Sequence, residues 1–272
     1  MINTNDSTEQ DLINQELSKE GILRLTLNDE KRRNALSEEM MSALSELINQ
    51  ASSNSNVRVI VIASNGPAFC SGHDLKQLTA GRNNEDNGQQ YFIEVFSKCS
   101  TLMQLITNNQ KPVIAEVSGA AAAAGCQLVA CCDLALAGES ARFITPGVNI
   151  GLFCSTPMVA LSRNVSNKAA MEMLLTGEMV SAEKAEHIGL INQVVKDADL
   201  TKSTMTIAKV IASKSSMVLK TGKQAFYKQK EMSLGEAYNY TSSVMVENML
   251  TLDAQEGIDA FIEKRQPKWR DK

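Results

Sequence analysis

The chain has 272 residues, of which 43% are hydrophobic and 21% are charged, so it is not intrinsically disordered. A folded chain of this length buries roughly three quarters of its unfolded surface and needs no disulfide or metal for stability. Its 27 Lys and Arg residues against 31 Asp and Glu residues give a net charge of −4. Nucleic-acid-binding proteins usually carry a basic excess, so no nucleic-acid partner is expected. The chain has only two histidines, which disfavours metal sites and Ser-His-Asp triads.

The first 20 residues form a polar, acidic segment that is predicted to be a flexible N-terminal arm. This segment lacks the features of a secretory signal and of an Arg-rich transit peptide. No apolar run in the sequence reaches the ~18 residues of a membrane span. We therefore expect a cytoplasmic protein without a membrane partner, or a mitochondrial matrix protein whose transit peptide has been removed. The six cysteines form no CxxC pair, so we expect reduced, mostly buried thiols and no metal site.

The first elements follow from hydrophobic periodicity. Alternating apolar residues over 21–27 predict a half-buried strand, and the β-branched run over 57–63 predicts a buried one. Between them, Ser37 is the predicted N-cap of a helix in which Met40 and Leu44 face the core. Asp74 is the predicted cap of the next helix.

Further along the chain, a helix is predicted over 89–107 and a strand over 113–117. The segment SGAAAAAGCQLVACCDLALAG is predicted to form a turn, a helix and a strand. Strands thus alternate with helices up to residue 199, and beyond it the pattern is helical. The chain is therefore expected to be an α/β protein with a core over 21–199 and a helical region over 200–272.

Three loops are candidates for the functional site, namely residues 68–74, 118–127 and 146–151. The first two precede predicted helices and are rich in small residues, and free N–H groups at a helix start bind negative charge. Two such starts that converge on one carbonyl oxygen would form an oxyanion hole. Ordinary loop construction explains the same spacing. The sequence contains no GxGxxG, GxxxxGK[ST] or GxSxG motif, which disfavours dinucleotide, P-loop and serine-hydrolase chemistry.

Six motifs occur in the order KRRNAL, GPAFCSGHDL, KPVIAEVSGAAAAAGCQLVACCDLALA, FITPGVNIGL, AMEMLLTGEMVSAEKAEHIGLINQVV and EGIDAFIEKRQPKW. With them, residues 21–269 resemble the crotonase (enoyl-CoA hydratase/isomerase) superfamily. The resemblance implies a spiral of ββα repeats and a C-terminal helical region that builds trimers, often paired into hexamers. It also implies an acyl-CoA thioester substrate, of which coenzyme A is a part, with no separate cofactor.

The resemblance also implies roles for particular residues. The thioester carbonyl would be bound by the backbone N–H groups of His73 and Ala124, which stabilise an enolate-like oxyanion. Lys31 and Arg33 would lie near the phosphates and adenine of CoA, although a solvated turn is the alternative. Lys264, Arg265 and Lys268 would reach the CoA of an adjacent subunit. The positions implied to bind substrate are Lys31, Arg33, Ala35, Ser71, Gly72, His73, Asp74, Leu75, Ala120, Ala124, Pro146 and Leu152.

The sequence departs from the family pattern at two positions. Typical hydratases of this family use two glutamates, which align with Gln127 and Gly147 here. A glutamine does not exchange a proton near neutral pH, and general acid–base catalysis is typically worth ~10²–10⁴ in rate. Efficient hydration is therefore not expected, and restoring both glutamates is expected to raise it. Asn149, Cys154 and Glu116 are poor substitutes.

Two other functions remain open. Some decarboxylating members of the superfamily carry GHD in the first loop and a TPVN-like third loop, so His73 would orient the carboxylate of a malonyl-type CoA. In the simpler interpretation, His73 contributes only its backbone N–H. The second alternative is a non-catalytic acyl-CoA binder. His187 is expected to be structural.

Overall fold

The computed structural model describes residues 11–272, which form two β-sheets and eleven α-helices. The strands are β1 (Ile13–Leu17), β2 (Ile22–Leu27), β3 (Val59–Ser64), β4 (Ala68–Cys70), β5 (Val113–Val117), β6 (Ala120–Ala122), β7 (Leu134–Gly138), β8 (Arg142–Ile144), β9 (Val180–Ser181) and β10 (Gln193–Val195). The helices are α1 (Glu38–Ser53), α2 (Leu75–Gly81), α3 (Gln89–Thr107), α4 (Ala124–Cys131), α5 (Ser155–Asn164), α6 (Asn167–Thr176), α7 (Ala182–His187), α8 (Leu200–Ala212), α9 (Ser216–Gln229), α10 (Leu234–Met249) and α11 (Leu252–Ile262). The predicted α/β class is confirmed.

The larger sheet has the strand order β1-β2-β3-β5-β7-β10. Strands β2, β3, β5, β7 and β10 run parallel to one another. Leu25, Ile62 and Ala115 are register partners across three strands and belong to the main core, which α1, α3 and α4 also enter. Residues of the opposite face, such as Val61, pack against α8. Since both faces are covered, the central strands are continuously apolar, as a buried parallel sheet requires.

The smaller sheet has the order β4-β6-β8-β9, and β4, β6 and β8 run parallel. Cys70 pairs with Ala121, and Ala122 pairs with Ile144. Because the three strands point the same way, the loops that follow them leave from one edge. These loops contain the three candidate segments of the sequence.

The prediction of a flexible arm over 1–20 is corrected in part. Residues 1–10 lie outside the described residues, whereas Ile13–Leu17 form β1, which pairs antiparallel with β2. Ile13 is buried in the main core, and backbone hydrogen bonds do not depend on the polar side chains of this strand. The segment is therefore an edge strand anchored by one apolar residue.

The alanine run is also corrected. It was expected to be helical, but Ala120–Ala122 form β6 and the helix begins only at Ala124. Pairing with β4 and β8 on both sides outweighs the helix propensity of alanine. The turn between strand and helix falls on Ala123, whose φ is 49° and ψ is −115°.

The helical region beyond residue 199 has two kinds of helix. Leu200 and Ala208 of α8 are buried against the larger sheet, so α8 is part of the core. In contrast, α10 has no buried residue. No helix within 11–272 is long and apolar enough to cross a membrane.

Candidate functional site

The first loop lies directly against the start of α4. A Cβ atom added to Gly72 would lie 2.9 Å from the carbonyl oxygen of Ala122 and 3.3 Å from the backbone nitrogen of Ala124. Gly72 also has a φ of +88°, a conformation that favours glycine. The GHD segment and the alanine segment are therefore in close backbone contact.

The N–H group of Ala124 has no acceptor among residues 11–272, because it lies in the first turn of a helix. Ala124 is the first residue of α4, and the preceding Ala123 provides no side-chain cap. The positive φ of Ala123 costs ~1–3 kcal/mol. A hydrogen bond of 2.8 Å from the Ala123 nitrogen to the Ile144 oxygen holds this residue in place. Strain retained beside an unsatisfied donor is typical of a functional site.

The N–H group of His73 is also unpaired within the described chain. Its orientation is fixed because the Gly72 carbonyl oxygen, which belongs to the same planar peptide group, accepts a 2.8 Å hydrogen bond from the Leu36 nitrogen. The His73 nitrogen donates to no backbone or side-chain oxygen among residues 11–272. Two free backbone donors, on His73 and Ala124, thus lie on the two loops that touch at Gly72.

The imidazole of His73 lies below the surface. It packs edge-on against Phe96, with 5.2 Å between the ring centroids, and neither ring nitrogen has a hydrogen-bond partner among the described residues. Burial lowers the pKa of His73 below its ordinary value, which favours the neutral ring at pH 7. The other histidine, His187, lies exposed at the end of α7 and is not packed in the core.

The predicted basic loop is tied to the first loop. Backbone and hydroxyl of Ser71 donate to the carbonyl oxygens of Arg33 and Arg32, at 3.1 and 3.3 Å. Arg32 pairs with Asp29, whereas the exposed Lys31 and Arg33 form no salt bridge within 11–272. The two cations implied to bind CoA are therefore available to a ligand.

Sequence analysis missed the residue that shapes this loop. Asn34 is fully buried, donates to the backbone oxygens of Asn65 and Ala68, and accepts from the nitrogen of Asp29. Its φ of 53° is a conformation that asparagine tolerates better than most residues. An asparagine after five consecutive charged residues was the available signal. The adjacent Ala35 is buried.

Asp74 and Leu75 begin α2. The Asp74 carboxylate accepts from the nitrogens of Lys76 and Gln77, as the sequence predicted for a cap, and lies 3.7 Å from the Arg32 guanidinium. These contacts give the Asp74 carboxylate a structural role at the start of α2. Leu75 is exposed, and so is Leu152 of the third loop, while Ala120 and Pro146 are half-buried. Pro146 lies in the loop that follows β8, whereas Ala120 is the first residue of β6 and lies at the opposite end of the strand.

Gln127 lies one turn into α4 and faces a cleft of about 750 Å³ between α3, α4, α5 and α9. The residue is only 5% exposed, and its Oε1 atom is buried without a hydrogen-bond donor among residues 11–272. Among the four positions predicted to be catalytic, only Gln127 lines this cleft, whereas His73, Ala124 and Gly147 do not.

Gly147 lies in a short 3₁₀ turn, Pro146–Ile150. A Cβ atom there would lie 2.7 Å from the Leu152 oxygen and 2.9 Å from the Cys154 sulfur. The third loop is closed over this position by a 2.9 Å hydrogen bond from the Leu152 nitrogen to the Gly147 oxygen. The space that a longer side chain would need is therefore already filled.

The remaining titratable groups near the site are poor bases. Burial raises the pKa of Cys154, which disfavours the thiolate. Glu116 accepts hydrogen bonds from Arg24 at 2.6 Å and Thr201 at 2.8 Å. These partners lie on β2 and α8, so Glu116 points away from the loops.

Arg265, expected to reach an adjacent CoA, is paired with glutamates of its own chain, while Lys264 and Lys268 stay outside these pairs.

The six cysteines of the chain form no disulfide in the structure, and five of them are buried. Burial raises the pKa of Cys70, Cys99 and Cys126 to about 12. The expected burial of most of these thiols is thus observed. No cluster of three or more His, Cys, Asp or Glu residues that suits a metal ion occurs in the described part of the chain.

The fold is an α/β core with a largely parallel sheet, in which the loop before α2 contacts the start of α4. Comparison with known proteins identifies the family that has this fold. The model of the enoyl-CoA hydratase/isomerase family matches residues 18–272, and the chain belongs to this family. The superfamily resemblance of the motifs is confirmed.

Individual relatives agree. The chain is 52% identical over 251 residues to human "Enoyl-CoA hydratase domain-containing protein 3, mitochondrial", a match that covers 92% of this chain and 81% of the human protein. The crystal structure of that human protein superimposes with a TM-score of 0.90 over 95% of this chain and 100% of the other, at 48% identity. The crystal structure of an enoyl-CoA hydratase from Mycobacterium smegmatis gives 0.91 over 96% and 99%, at 45% identity.

Proposed function

We propose that this protein binds an acyl-CoA thioester and stabilises an enolate-like oxyanion with the N–H groups of His73 and Ala124. The observation that carries the proposal is that both donors are free and lie on loops in contact through Gly72. Preorganised donors of this kind stabilise charge that develops on a carbonyl oxygen, and each contributes about 10²–10³ to rate. Membership in the enoyl-CoA hydratase/isomerase family supports an enzyme of the lyase or isomerase class in acyl-CoA (fatty acid) metabolism.

The same residues argue against efficient hydration. A hydratase must hold and deprotonate water. The Gln127 carboxamide does not act as an acid or a base near pH 7, and Gly147 has no side chain. Neither Cys154, with its raised pKa, nor Glu116, which faces α8, replaces them. The proposed reaction therefore passes through the thioester enolate without rapid addition of water.

A panel of acyl-CoA thioesters with product detection tests this function. We expect crotonyl-CoA to be hydrated well below ~10 s⁻¹, a typical enzyme rate, and at least one other thioester to be converted. Hydration at ordinary enzyme rates would contradict the role assigned to Gln127 and Gly147. Binding across the whole panel without any turnover would instead support the non-catalytic acyl-CoA binder.

One observation supports the decarboxylase of a malonyl-type CoA as a second candidate. Both ring nitrogens of His73 are buried without hydrogen-bond partners among residues 11–272, and a carboxylate would satisfy one of them. The neutral ring that burial favours still carries one N–H group, which can donate to a carboxylate oxygen. Methylmalonyl-CoA turnover that is lost in His73→Ala would establish this reaction, and no turnover in either protein would exclude it.

For the rest of the ligand, we propose that Lys31 and Arg33 contact the CoA phosphates and that Ala35, Ser71 and Leu75 line the path of the pantetheine. No further cofactor enters this proposal. The free charges of Lys31 and Arg33 support it, because surface cations without partners are available to phosphates. Replacing both by Ser should weaken binding of CoA itself.

We further propose a homotrimer, or a hexamer built as a dimer of trimers. Helix α10 buries none of its residues, and Tyr238, Met245 and Val246 are 60–68% exposed. Contiguous exposed apolar surface of this kind marks interaction sites. Sedimentation equilibrium measures the mass of the assembly in solution and so tests this oligomeric state.

For the compartment, relatives whose names include "mitochondrial" support the matrix over the cytoplasm, and cell fractionation distinguishes the two.

A further inference from the structure

The carboxamide of Asn34 is held in one orientation by three backbone partners. Its Nδ2 atom donates to the carbonyl oxygens of Asn65 at 2.9 Å and Ala68 at 2.8 Å, and its Oδ1 atom accepts from the Asp29 nitrogen at 2.8 Å. Because a carbonyl oxygen only accepts and an N–H group only donates, these bonds fix which end of the amide faces each partner. Asn34 is fully buried, so its side chain is rigid and shielded from water.

The backbone at Asn34 depends on these side-chain bonds. Arg33 and Asn34 have φ values of 53° each, so two consecutive residues without the freedom of glycine take the left-handed conformation. Such a conformation is unfavourable and persists only where surrounding contacts enforce it. The three bonds of the carboxamide supply that enforcement, and residues 33–36 take the path that they dictate.

Residues 33–36 lie alongside β4 in a register that Asn34 sets. Asn34 binds the oxygen of Ala68, the first residue of β4, and the neighbouring Arg33 oxygen accepts from the Ser71 nitrogen at 3.1 Å, directly after the last residue of this strand. The segment is therefore fixed to the strand at its beginning and just beyond its end.

The next contact of this segment orients one of the two proposed oxyanion donors. The Leu36 nitrogen donates to the Gly72 oxygen at 2.8 Å, and Leu36 pairs with His73 in a parallel bridge. The Gly72 carbonyl and the His73 N–H belong to one planar peptide group, so a bond that holds the carbonyl also fixes the direction of the N–H. Groups that stabilise a reacting atom must be held within about 0.5 Å of the productive geometry. A shift of residues 33–36 along β4 would therefore misdirect this donor.

We propose that Asn34 is a positioning residue of the oxyanion site, which aims the His73 N–H at the thioester oxygen by fixing residues 33–36 against β4. This inference rests on the proposed acyl-CoA function and deepens it. Because its side chain is buried and bound to backbone atoms, Asn34 acts through Leu36 and Gly72 and not by contact with the ligand.

Titration of the full chain with acetoacetyl-CoA and with CoA tests the proposal. Acetoacetyl-CoA loses a proton from carbon 2 to give an enolate, whose ultraviolet absorption reports how well the bound oxyanion is stabilised, whereas CoA has no thioester oxygen. We expect the parent to prefer acetoacetyl-CoA over CoA and to bind part of it as the enolate. Asn34→Gly removes the side-chain bonds but tolerates the positive φ. In this variant the ratio of bound enolate to bound ketone should fall about tenfold or more, since a hydrogen bond to a charged oxygen is typically worth that much. The affinity for CoA should change far less.

Asn109→Ala is the matched control, because Asn109 is also a buried asparagine that binds only backbone atoms. Its Nδ2 atom donates to the Ile48 oxygen at 3.3 Å, and its Oδ1 atom accepts from the Lys111 nitrogen at 2.8 Å. Urea unfolding measures the stability of both variants. Both should be less stable than the parent, and only Asn34→Gly should lose the enolate.

The possible results separate this inference from the function on which it rests. An enolate ratio that is unchanged in Asn34→Gly, or that falls equally in Asn109→Ala, would overturn the inference and leave the acyl-CoA function intact. A parent that binds acetoacetyl-CoA no better than CoA, and without any enolate, would overturn the proposed oxyanion site itself. If Asn34→Gly does not fold, Asn34→Asp replaces it, because an aspartate keeps the acceptor for the Asp29 nitrogen and loses both donors.

Discussion

The sulfur of Cys154 lies 2.9 Å from the place where Gly147 would carry a Cβ atom, so the thiol fills the space of a side chain at 147. The Leu152 carbonyl oxygen, 2.7 Å from the same point, belongs to the backbone and cannot rotate away. The third loop is therefore built around the absence of a side chain at this position, and a glutamate there requires the loop to move.

Gly147→Ala should destabilise the protein by about 1–3 kcal/mol, because even one methyl group overpacks this site. Urea unfolding measures the loss. Gly222→Ala in α9 is the control: nothing lies within 4 Å of its Cβ position, and an alanine there should be neutral or stabilise the helix. Equal stability of the parent and Gly147→Ala would show that the loop yields easily.

The same contacts change an expectation that the sequence raised. Restoring both glutamates was expected to raise hydratase activity, but the structure leaves no room for a side chain at position 147. We expect Gln127→Glu with Gly147→Glu to hydrate crotonyl-CoA no faster than Gln127→Glu alone, and to unfold at lower urea. A double variant that is tenfold faster than the single variant would contradict this expectation.

Gly72→Ala tests the pair of backbone donors. Its Cβ atom would crowd the Ala122 oxygen and the Ala124 nitrogen, so the first loop must move away from α4. Acyl-CoA turnover should fall by up to ~10²–10³ fold, the usual loss for one oxyanion donor. Gly66→Ala is the control: its φ of +81° is similarly unfavourable, but its contacts are with the Glu30 side chain. Both variants should lose stability, and only Gly72→Ala should lose this much turnover.

His73 should give the protein a pH-dependent stability. Burial lowers its folded-state pKa below 6.5, so the unfolded chain binds more protons than the folded chain as the pH falls through this value. The contribution of His73 to the free energy of unfolding should therefore be complete well above about pH 6.5 and should decline as the pH falls through about 6.5 toward the lower folded-state pKa. His73→Phe should flatten this slope, whereas His187→Ala, which alters an exposed residue, should keep it. A slope that survives His73→Phe would assign the effect to another group.

Lys223 anchors α9, which lines the cleft, to the core. Its ammonium donates to Asp133 at 2.6 Å and to the backbone oxygens of Ile106 and Lys111, and Tyr227 donates to the same carboxylate. Because the Lys223 side chain is only 7% exposed, Lys223→Met should cost about 3–5 kcal/mol by leaving Asp133 without its cation. Denaturant unfolding measures this cost, with Lys220→Met on the same helix as a control. A loss below 1 kcal/mol would show that Tyr227 and the backbone suffice.

The sequence by itself determined the features that depend on local pattern. The helix over 89–107 and the caps at Ser37 and Asp74 were predicted at the residues where they occur, because apolar spacing and side-chain caps act within a few residues. The family followed from ordered motifs. The loops that carry the candidate site were also identifiable, since small residues before a helix start are a local signal.

The tertiary structure decided what depends on contacts between distant segments. Strand β1 forms because β2 offers a free edge, and the alanine run divides at Ala123 because β4 and β8 flank it. The unsatisfied oxygen of Gln127 and the filled space beside Gly147 follow from neighbours that approach only when the chain is packed. The residue types at 127 and 147 showed that two glutamates are replaced. Only the packing around Gly147 showed that this position has no room for a side chain.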